Sequence, residues 1–259
     1  MTPVRAIVRR ARIALTRLLQ AREGPFRGEY SSFASAQAAI EPGRRAGYDH
    51  AEAAEIYRHE MRLIRTSDYA VMYWLEKMLC PKLRVFDWGG NLGHSYYVYR
   101  SYLPFPSDLT WTICDVPEIV RTGRQIASEA GDAPGLVFTE RPSDCDGCDV
   151  LILNGALQFL PVSLESVLAG LQLKPKHVFI NRIPVHKTRS YYTLQDVGPV
   201  VCPYQIFGEA MLLESLRNLG YELRDRWPCE GKSVHIAFRP SATVEAFSGF
   251  YFEAKPALD

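Results

Sequence analysis

No apolar run in this sequence approaches the roughly 20 residues that a helix needs to cross a bilayer. The start of the chain has no continuous apolar segment followed by a small-residue cleavage site, so a secretory signal is not expected. HExxH, a GxxxxGK[ST] phosphate loop and GxSxG are all missing, which argues against zinc peptidase, P-loop and serine-hydrolase chemistry. Neither sign of charge is in excess. Against 30 Lys and Arg stand 29 Asp and Glu, and a net charge of +1 gives no global attraction to nucleic acid. The six cysteines are scattered, and a chain of 259 residues needs no disulfide staples, so reduced thiols and a cytoplasmic setting are expected. Cys145 and Cys148 form a lone CxxC with no second Cys or His pair at metal spacing; the segment reads as a turn, and no metal is expected.

What is present favours a packed enzyme-sized core: 47% of residues are hydrophobic and 12% aromatic. Residues 1–22 carry six arginines and no acid, with Val4, Ile7, Val8, Ala11, Ala14, Leu15, Leu18 and Leu19 on one helical arc. Such a basic amphipathic helix suits peripheral contact with an anionic membrane, or docking on the body of the protein or a second subunit. Residues 23–50 read as an irregular connector, and helical patterning resumes over 51–79 until Pro81 stops it. This gives a helical N-terminal extension over 1–80, an α/β domain over 81–240 and a tail over 241–259.

Within 81–240 strands and helices alternate. Strands are expected at Leu83–Asp87, Leu109–Cys114, Leu136–Thr139, Val150–Leu153 and His177–Asn181, with helices at 94–102, 117–130 and 162–172. Gly131 is placed to end the second helix. A loop over 184–203 follows, then a helix carrying Ile206, Ala210, Leu213 and Leu216. The last two strands, 221–227 and 233–239, are joined by Pro228, Gly231 and Lys232, and so short a link forces them to pair antiparallel. A mostly parallel, Rossmann-like α/β sheet closed by an antiparallel hairpin is the arrangement of S-adenosylmethionine (SAM)-dependent methyltransferases rather than of dehydrogenases, by fold-level analogy.

The sharpest motif is Val85-Phe86-Asp87-Trp88-Gly89-Gly90-Asn91-Leu92-Gly93, between a strand and a helix. Its glycines allow a sharp turn and close ligand approach. Asp87, two residues before Gly89, suits a cationic amino-acid moiety and would repel a pyrophosphate; its other reading is a buried, backbone-bonded carboxylate. Asp115, 22 residues after Gly93, suits a ribose diol at the end of the next strand. A helix-cap role for it is less apt, because Pro117 at the first helical position makes Val116 the cap.

DWGGNLG and CDVPEIV resemble the DxGGGxG and DLPxVI signatures of O-methyltransferases. From about residue 26 to 240 the chain resembles an uncharacterised group of bacterial SAM-dependent methyltransferases associated with surface-polysaccharide gene clusters. The resemblance is carried by FRGEYSSF, GYDH, DYAVMYWLEK, FDWGGNLGHSYY, LNGALQFL, FINRIP and VCPYQIF. It implies a class I fold, SAM as cofactor and a sugar or glycan precursor as acceptor, with no settled substrate. Cofactor contacts are then expected from Asp87, Gly89, Gly90, Asn91 and Gly93, from Asp115 and Val116, from Glu140 in an adenine-facing loop 139–143, and from Asn154 and Gly155. Gln158 stands where plant-type O-methyltransferases carry a histidine base. An amide cannot take a proton, so Gln158 is expected to orient rather than abstract.

Candidate bases are His94 and His186, since imidazole titrates near neutral pH; both are also open to a structural role. Arg182 suits an anionic acceptor such as a uronate or a nucleotide-sugar phosphate. Tyr97, Tyr191 and Tyr192 are candidate acceptor contacts, the latter two on a segment long enough to form a lid, although tyrosines at helical spacing, like those of 96–102, are more often core. Two rivals remain. An NAD-linked sugar dehydrogenase or epimerase would need a Tyr-x-x-x-Lys pair or a catalytic Cys near the cofactor, and a non-catalytic scaffold would need no intact cofactor turn. The sequence sets no oligomeric state.

Overall fold

The computed structural model describes residues 24–44, 46–58 and 61–255. The basic segment 1–22, with its membrane or docking role, lies outside the described residues.

Five parallel strands form the centre: β2 (Arg84–Trp88), β3 (Thr110–Cys114), β4 (Leu136–Thr139), β5 (Val150–Asn154) and β6 (His177–His186), in the order β4-β3-β2-β5-β6. Their side chains alternate between two cores, as the period of two in a strand requires. Val85, Trp111, Ile113, Val150 and Ile152 enter one, while Phe86, Cys114, Leu151, Leu153 and Ile180 enter the other. A sheet covered on both faces explains the near-continuous apolar runs.

Before β2 come β1 (Phe26–Tyr30), α1 (Phe33–Ala38), α2 (Ala51–Arg58) and α3 (Thr66–Glu76). The connector expected at 23–50 thus contains a strand and a short helix. Ser32 caps that helix by accepting from the Ser35 amide at 3.1 Å. Immediately before α3, Arg65 is extended at φ −113° and ψ 151°. The crossovers are α4 (His94–Arg100), α5 (Pro117–Ala130) and α6 (Leu164–Gly170). Helix α5 begins at Pro117 and ends at a left-handed Gly131, as its sequence predicts.

Three expectations after β6 need correction. The loop at 184–203 is instead the end of β6 followed by an antiparallel hairpin, β7 (Tyr191–Asp196) and β8 (Val201–Gly208), to which β1 adds as an outer strand. Aromatic and β-branched residues dominate both strands. Pro203 sits opposite Leu194 while β6 meets β8 only at Phe207 and Gly208, so no ladder bond is lost on its outer side. The following helix, α7 (Glu209–Asn218), starts after Ile206, which belongs to β8.

The closing partner of β9 (Tyr221–Cys229) is not 233–239 but β10 (Phe247–Ala254), in the segment expected as a tail. Strand β10 inserts between β6 and β9, antiparallel to both. Six consecutive buried residues from Phe247 suit that enclosed place, whereas 233–239 makes one isolated bridge, Val234 to Val244. No helix among the described residues is long and apolar enough to cross a membrane.

Candidate active site

A cavity of about 640 Å³ opens beyond the carboxyl ends of β2, β3, β5 and β6, where ligands of open α/β sheets bind. One wall is the turn after β2. Gly89 sits at φ +72°, and a Cβ there would lie 2.3 Å from the Ala156 Cβ, so the two loops touch only because Gly89 has no side chain. Asn91 also takes a left-handed φ of +59°, which Asn tolerates better than most residues. Gly89, Gly90 and Asn91 face the cavity; Gly93 lies behind them as the left-handed cap of α4.

Asp115 faces the same space. Its Oδ2 accepts from the Asn91 amide at 2.9 Å and its Oδ1 from the Val116 amide at 2.8 Å. These bonds fix the carboxylate in orientation and leave a lone pair on each oxygen for a further donor. Burial raises the Asp115 carboxyl to about 6, against the opposing pull of those two amides. Val116 and Ile119 line the cavity beside it, and Tyr57 and Met61 from the α2 end cover that corner.

Asp87 is placed differently from the expectation. It is fully buried behind Gly90, whose Cβ would meet Asp87 Oδ2 at 2.7 Å, and it is not part of the cavity lining. Trp111 Nε1 donates to Oδ2 at 3.3 Å; Oδ1 has no hydrogen-bond partner among the described residues. Burial pushes this carboxyl up to about 7, with the Asp115 charge adding to the rise. Asp87 therefore lies one residue layer beneath the turn and touches nothing held in the cavity directly.

The opposite wall is a polar network that sequence reading missed. Its hub is Asp68 on α3, fully buried. Asp68 Oδ1 accepts from Tyr99, Asn154 Nδ2 and Arg182 NH1 at 3.2–3.4 Å, and Oδ2 from the Arg65 amide at 2.9 Å. Burial resists the charge, yet nearby His94, Arg182 and the Arg65 amide bring this carboxyl down to about 2. Arg182 reaches the cavity through a bulge in β6: two residues, Asn181 and Arg182, oppose the single Gly249 of β10, and Arg182 takes φ +57°. A left-handed residue at a bulge turns its side chain out of the alternation. Arg182 NH2 donates to the Asn154 carbonyl at 3.0 Å, over Gly155. The DYAVMYWLEK segment contained Asp68 in plain view, but nothing in its helical spacing marks it as a hub.

The other candidates divide. Asn154, Gly155, Gln158, His94 and Arg182 line the cavity. Gln158 Nε2 donates to the Gly155 carbonyl at 2.9 Å, while its buried Oε1 has no partner among the described residues. His94 Nε2 lies 2.9 Å from Arg65 NH1. A guanidinium only donates, so that nitrogen is occupied as an acceptor and is poorly placed to take a substrate proton. His186 lies outside the lining: its Nε2 meets the Ser241 carbonyl at 3.0 Å and its Nδ1 accepts from the Thr188 and Arg189 amides. Tyr191 donates to the Ala242 carbonyl inside the core, Tyr192 packs on Phe33, and Tyr97 packs on Gly93; none lines the cavity. Glu140 is exposed and also outside it, because the Thr139 and Arg141 side chains close on Asp144 instead. Tyr-x-x-x-Lys spacings do occur, at Tyr73–Lys77, a cation–π pair on an exposed tyrosine, and at Tyr251–Lys255, where the tyrosine is buried in the core; both lie outside the cavity lining.

Strand order β4-β3-β2-β5-β6-β10-β9, with β10 alone reversed, decides the architecture. The fold is that of class I methyltransferases. Magnesium protoporphyrin IX methyltransferase of Synechocystis PCC 6803, solved with bound SAM, superimposes with a TM-score of 0.52 at 12% identity, over 86% of this chain and 91% of that one. The mitomycin 7-O-methyltransferase MmcR gives 0.50 at 12% identity, over 87% of this chain and 61% of that one. The neocarzinostatin-biosynthesis O-methyltransferase NcsB1, solved with S-adenosyl-L-homocysteine (SAH) and 1,4-dihydroxy-2-naphthoic acid, gives 0.50 at 14%, over 78% and 57%. No protein-family profile and no curated protein matches the chain in sequence. Within this methyltransferase fold, β7, β8, β1 and α1–α2 build the side of the cavity away from the glycine turn.

Proposed function

We propose that the protein is a SAM-dependent methyltransferase acting on an oxygen or nitrogen of a small molecule. The observation that carries the reading is the convergence of the Gly89-Gly90-Asn91 turn and the Asp115 carboxylate on one cavity at the carboxyl edge of a class I methyltransferase sheet. Asp115 would hold the ribose hydroxyls, Val116, Ile119 and Met61 the adenine, and Gly89, Gly90 and Gly155 the methionine portion. SAM, when bound, supplies an electrophilic methyl group. The chain's own contribution is alignment: Gln158 Oε1 accepts from an N–H or O–H brought beside Gly155, and the apolar walls exclude water. With His94 engaged by Arg65 and His186 outside the cavity, an acceptor that is nucleophilic without a strong base fits best. A sugar or glycan precursor is the acceptor class suggested by the resemblance in the sequence.

The dehydrogenase rival has little support. Both Tyr-x-x-x-Lys spacings, Tyr73–Lys77 and Tyr251–Lys255, lie outside the cavity lining, and Cys202, which lines it, is an apolar contact whose thiol burial pushes up to about 12. Calorimetry with SAM, SAH and NAD tests the choice: micromolar SAM or SAH binding with none for NAD is expected, and preference for NAD would overturn it. Turnover of SAM against sugar precursors then separates an enzyme from a scaffold that binds SAM idly. Peripheral membrane contact through residues 1–22 is a separate proposal, and equal binding to anionic vesicles with and without those residues would end it.

A further inference from the structure

Beyond Gly155 the cavity lining passes from the glycine turn to the β7–β8 hairpin by way of the short turn Leu157–Phe159. Ala156 touches Gly89, and Gln158 and Phe159 follow it along the wall. Phe159 meets Tyr48 edge to face at 5.2 Å and 80°, and Tyr204 at 4.9 Å and 84°. Phe26, which does not line the cavity, packs on Tyr204 at 5.0 Å and holds that ring in place. Leu160, Cys202 and Pro203 continue the apolar surface. Polar groups are few on this side. The Tyr48 hydroxyl already donates to Gln195 at 3.3 Å, and Gln37 is exposed. Gln158 stands apart, for it is only 3% exposed and its Oε1 has no partner among the described residues. A buried amide oxygen of this kind is satisfied when a ligand brings an N–H or O–H to it.

Two arguments then agree on the ligand. A pyranose carries several hydroxyl groups, each needing a partner once buried, and three aromatic rings and a proline offer almost none. A flat ring with one polar edge buries its faces against those rings and has a single donor to place. The second argument is chemical. His94 Nε2 is engaged by Arg65 and His186 lies outside the cavity. A phenol ionises at about pH 10, as tyrosine does, whereas a sugar hydroxyl holds its proton far more firmly and calls for a strong base.

Resting on the methyltransferase reading of this cavity, we propose that the methyl acceptor is a flat, largely apolar ring compound, its faces against Tyr48, Phe159 and Tyr204 and its phenol-type O–H or aromatic N–H on Gln158 Oε1. Gln158 and Phe159 are then specificity residues, and the acceptor class differs from the sugar that the sequence resemblance suggests. In the transfer the acceptor oxygen or nitrogen bonds to the methyl carbon as the carbon–sulfur bond breaks toward sulfur. The acceptor's proton, which an amide oxygen can hold but not take, leaves to water.

Matched probes test this on the full-length protein saturated with SAH, by calorimetry and ligand-observed NMR. Naphthol, its methyl ether, the saturated alcohol decalol and methyl glucoside separate the donor, the flatness and the apolar body. Naphthol is expected to bind about fivefold more tightly than its ether, the scale of one neutral hydrogen bond. It should bind about threefold more tightly than decalol and at least about tenfold more tightly than methyl glucoside. Gln158→Met keeps the length of the side chain without the amide oxygen and should erase the preference for naphthol over its ether. Phe159→Leu should weaken naphthol about fivefold while SAH affinity stays within about twofold. The exposed Arg224→Gln, outside the cavity lining, should change neither. If either site variant fails to fold in thermal melts, the ranking of the four probes on the wild type decides alone. No binding by naphthol, methyl glucoside binding as tightly as naphthol, naphthol and its ether binding alike, or naphthol binding unchanged in Phe159→Leu would overturn the proposal. If SAH does not bind but the Phe159-dependent preference persists, the ring site stands and the cofactor reading falls instead.

Discussion

Replacing Asp87 by Asn tests the electrostatics beneath the glycine turn. The carboxyl is fully buried, one oxygen has no partner among the described residues, and burial lifts it from an ordinary 3.8 to about 7. A carboxyl raised on folding binds its proton more tightly in the native state, so stability falls as pH climbs from about 4 to about 7 and is flat above. The full displacement corresponds to about 4 kcal/mol at the 1.36 kcal/mol per pH step of linkage, a large share of the roughly 5–15 kcal/mol of a typical domain. Asn is neutral throughout and nearly isosteric, and its carbonyl keeps the Trp111 bond. Its amide group faces the unpartnered side, which adds a constant offset of about 1–3 kcal/mol. The slope is therefore the informative quantity. Urea melts of both proteins between pH 4.5 and 8 should give a stability difference, Asp87→Asn minus wild type, that rises by about 1 kcal/mol per pH step up to pH 7 and then levels. The other titrating groups are common to both and largely cancel. Parallel pH profiles would refute the reasoning, because Asp87 would then be ionised and solvated in the native state.

For Asp115 the sign runs the other way for the ligand. Its carboxyl, raised to about 6, must be ionised to accept from ribose hydroxyls, so SAM affinity should fall as pH drops below 6 while Asp115→Asn shows a weaker but nearly pH-independent affinity, down about tenfold or more; titration calorimetry at pH 5 to 8 checks both. Gly89→Ala forces a side chain at φ +72° against Ala156 and should cost about 2–5 kcal/mol in thermal melts, with SAM binding lost. His186→Ala removes a bridge between the Ser241 carbonyl and the 188–189 amides; steady-state kinetics should show kcat/KM within about twofold of wild type, with a stability loss of about 1 kcal/mol, and a collapse of kcat would return His186 to the catalytic list.

Much of the Rossmann-like half was legible because local signals and tertiary demands agreed there. Pro117 and Gly131 mark a helix that needs a left-handed stop, and Val150 to Leu153 can only be a strand covered on both faces. The cavity was legible where geometry follows the backbone: Gly89, Gly90 and Asn91 line it because they form a strand-to-helix turn at the carboxyl edge of the sheet. Between its two readings Asp87 could not be decided from sequence, because strand position does not say which layer its side chain enters; the absent Cβ of Gly90 lets it fold back under the turn. The β7–β8 hairpin is hard to see in the sequence because Pro203 argues against a central strand, and only the sparse pairing between β6 and β8 makes it harmless. Strand β10 is hidden because one of its partners, β6, lies far back in sequence and the segment 233–239 stands nearer to β9.

The same contrast explains why the wall at the glycine turn can be read from the chain and the opposite wall cannot. Every residue proposed to hold SAM sits within a few positions of a β2, β3 or β5 terminus, or on α2 and the turn after it, so one topological rule collects most of them. The opposite wall draws on α3 and the residue before it through Asp68 and Arg65, on a bulge in β6 through Arg182, on the hairpin through Tyr204, and on the segment after β9 through Lys232. No spacing rule links these positions, and each is locally ordinary. What joins the α3 and β6 parts is a single buried carboxylate: Asp68 accepts from the Arg182 guanidinium on one side and from the Arg65 backbone amide on the other. Asp68→Asn should loosen Arg182 and raise KM for the methyl acceptor about tenfold, while SAM affinity, proposed to rest on Asp115 across the cavity, stays within about twofold. Equal losses at both ends would mean that Asp68 merely holds the fold.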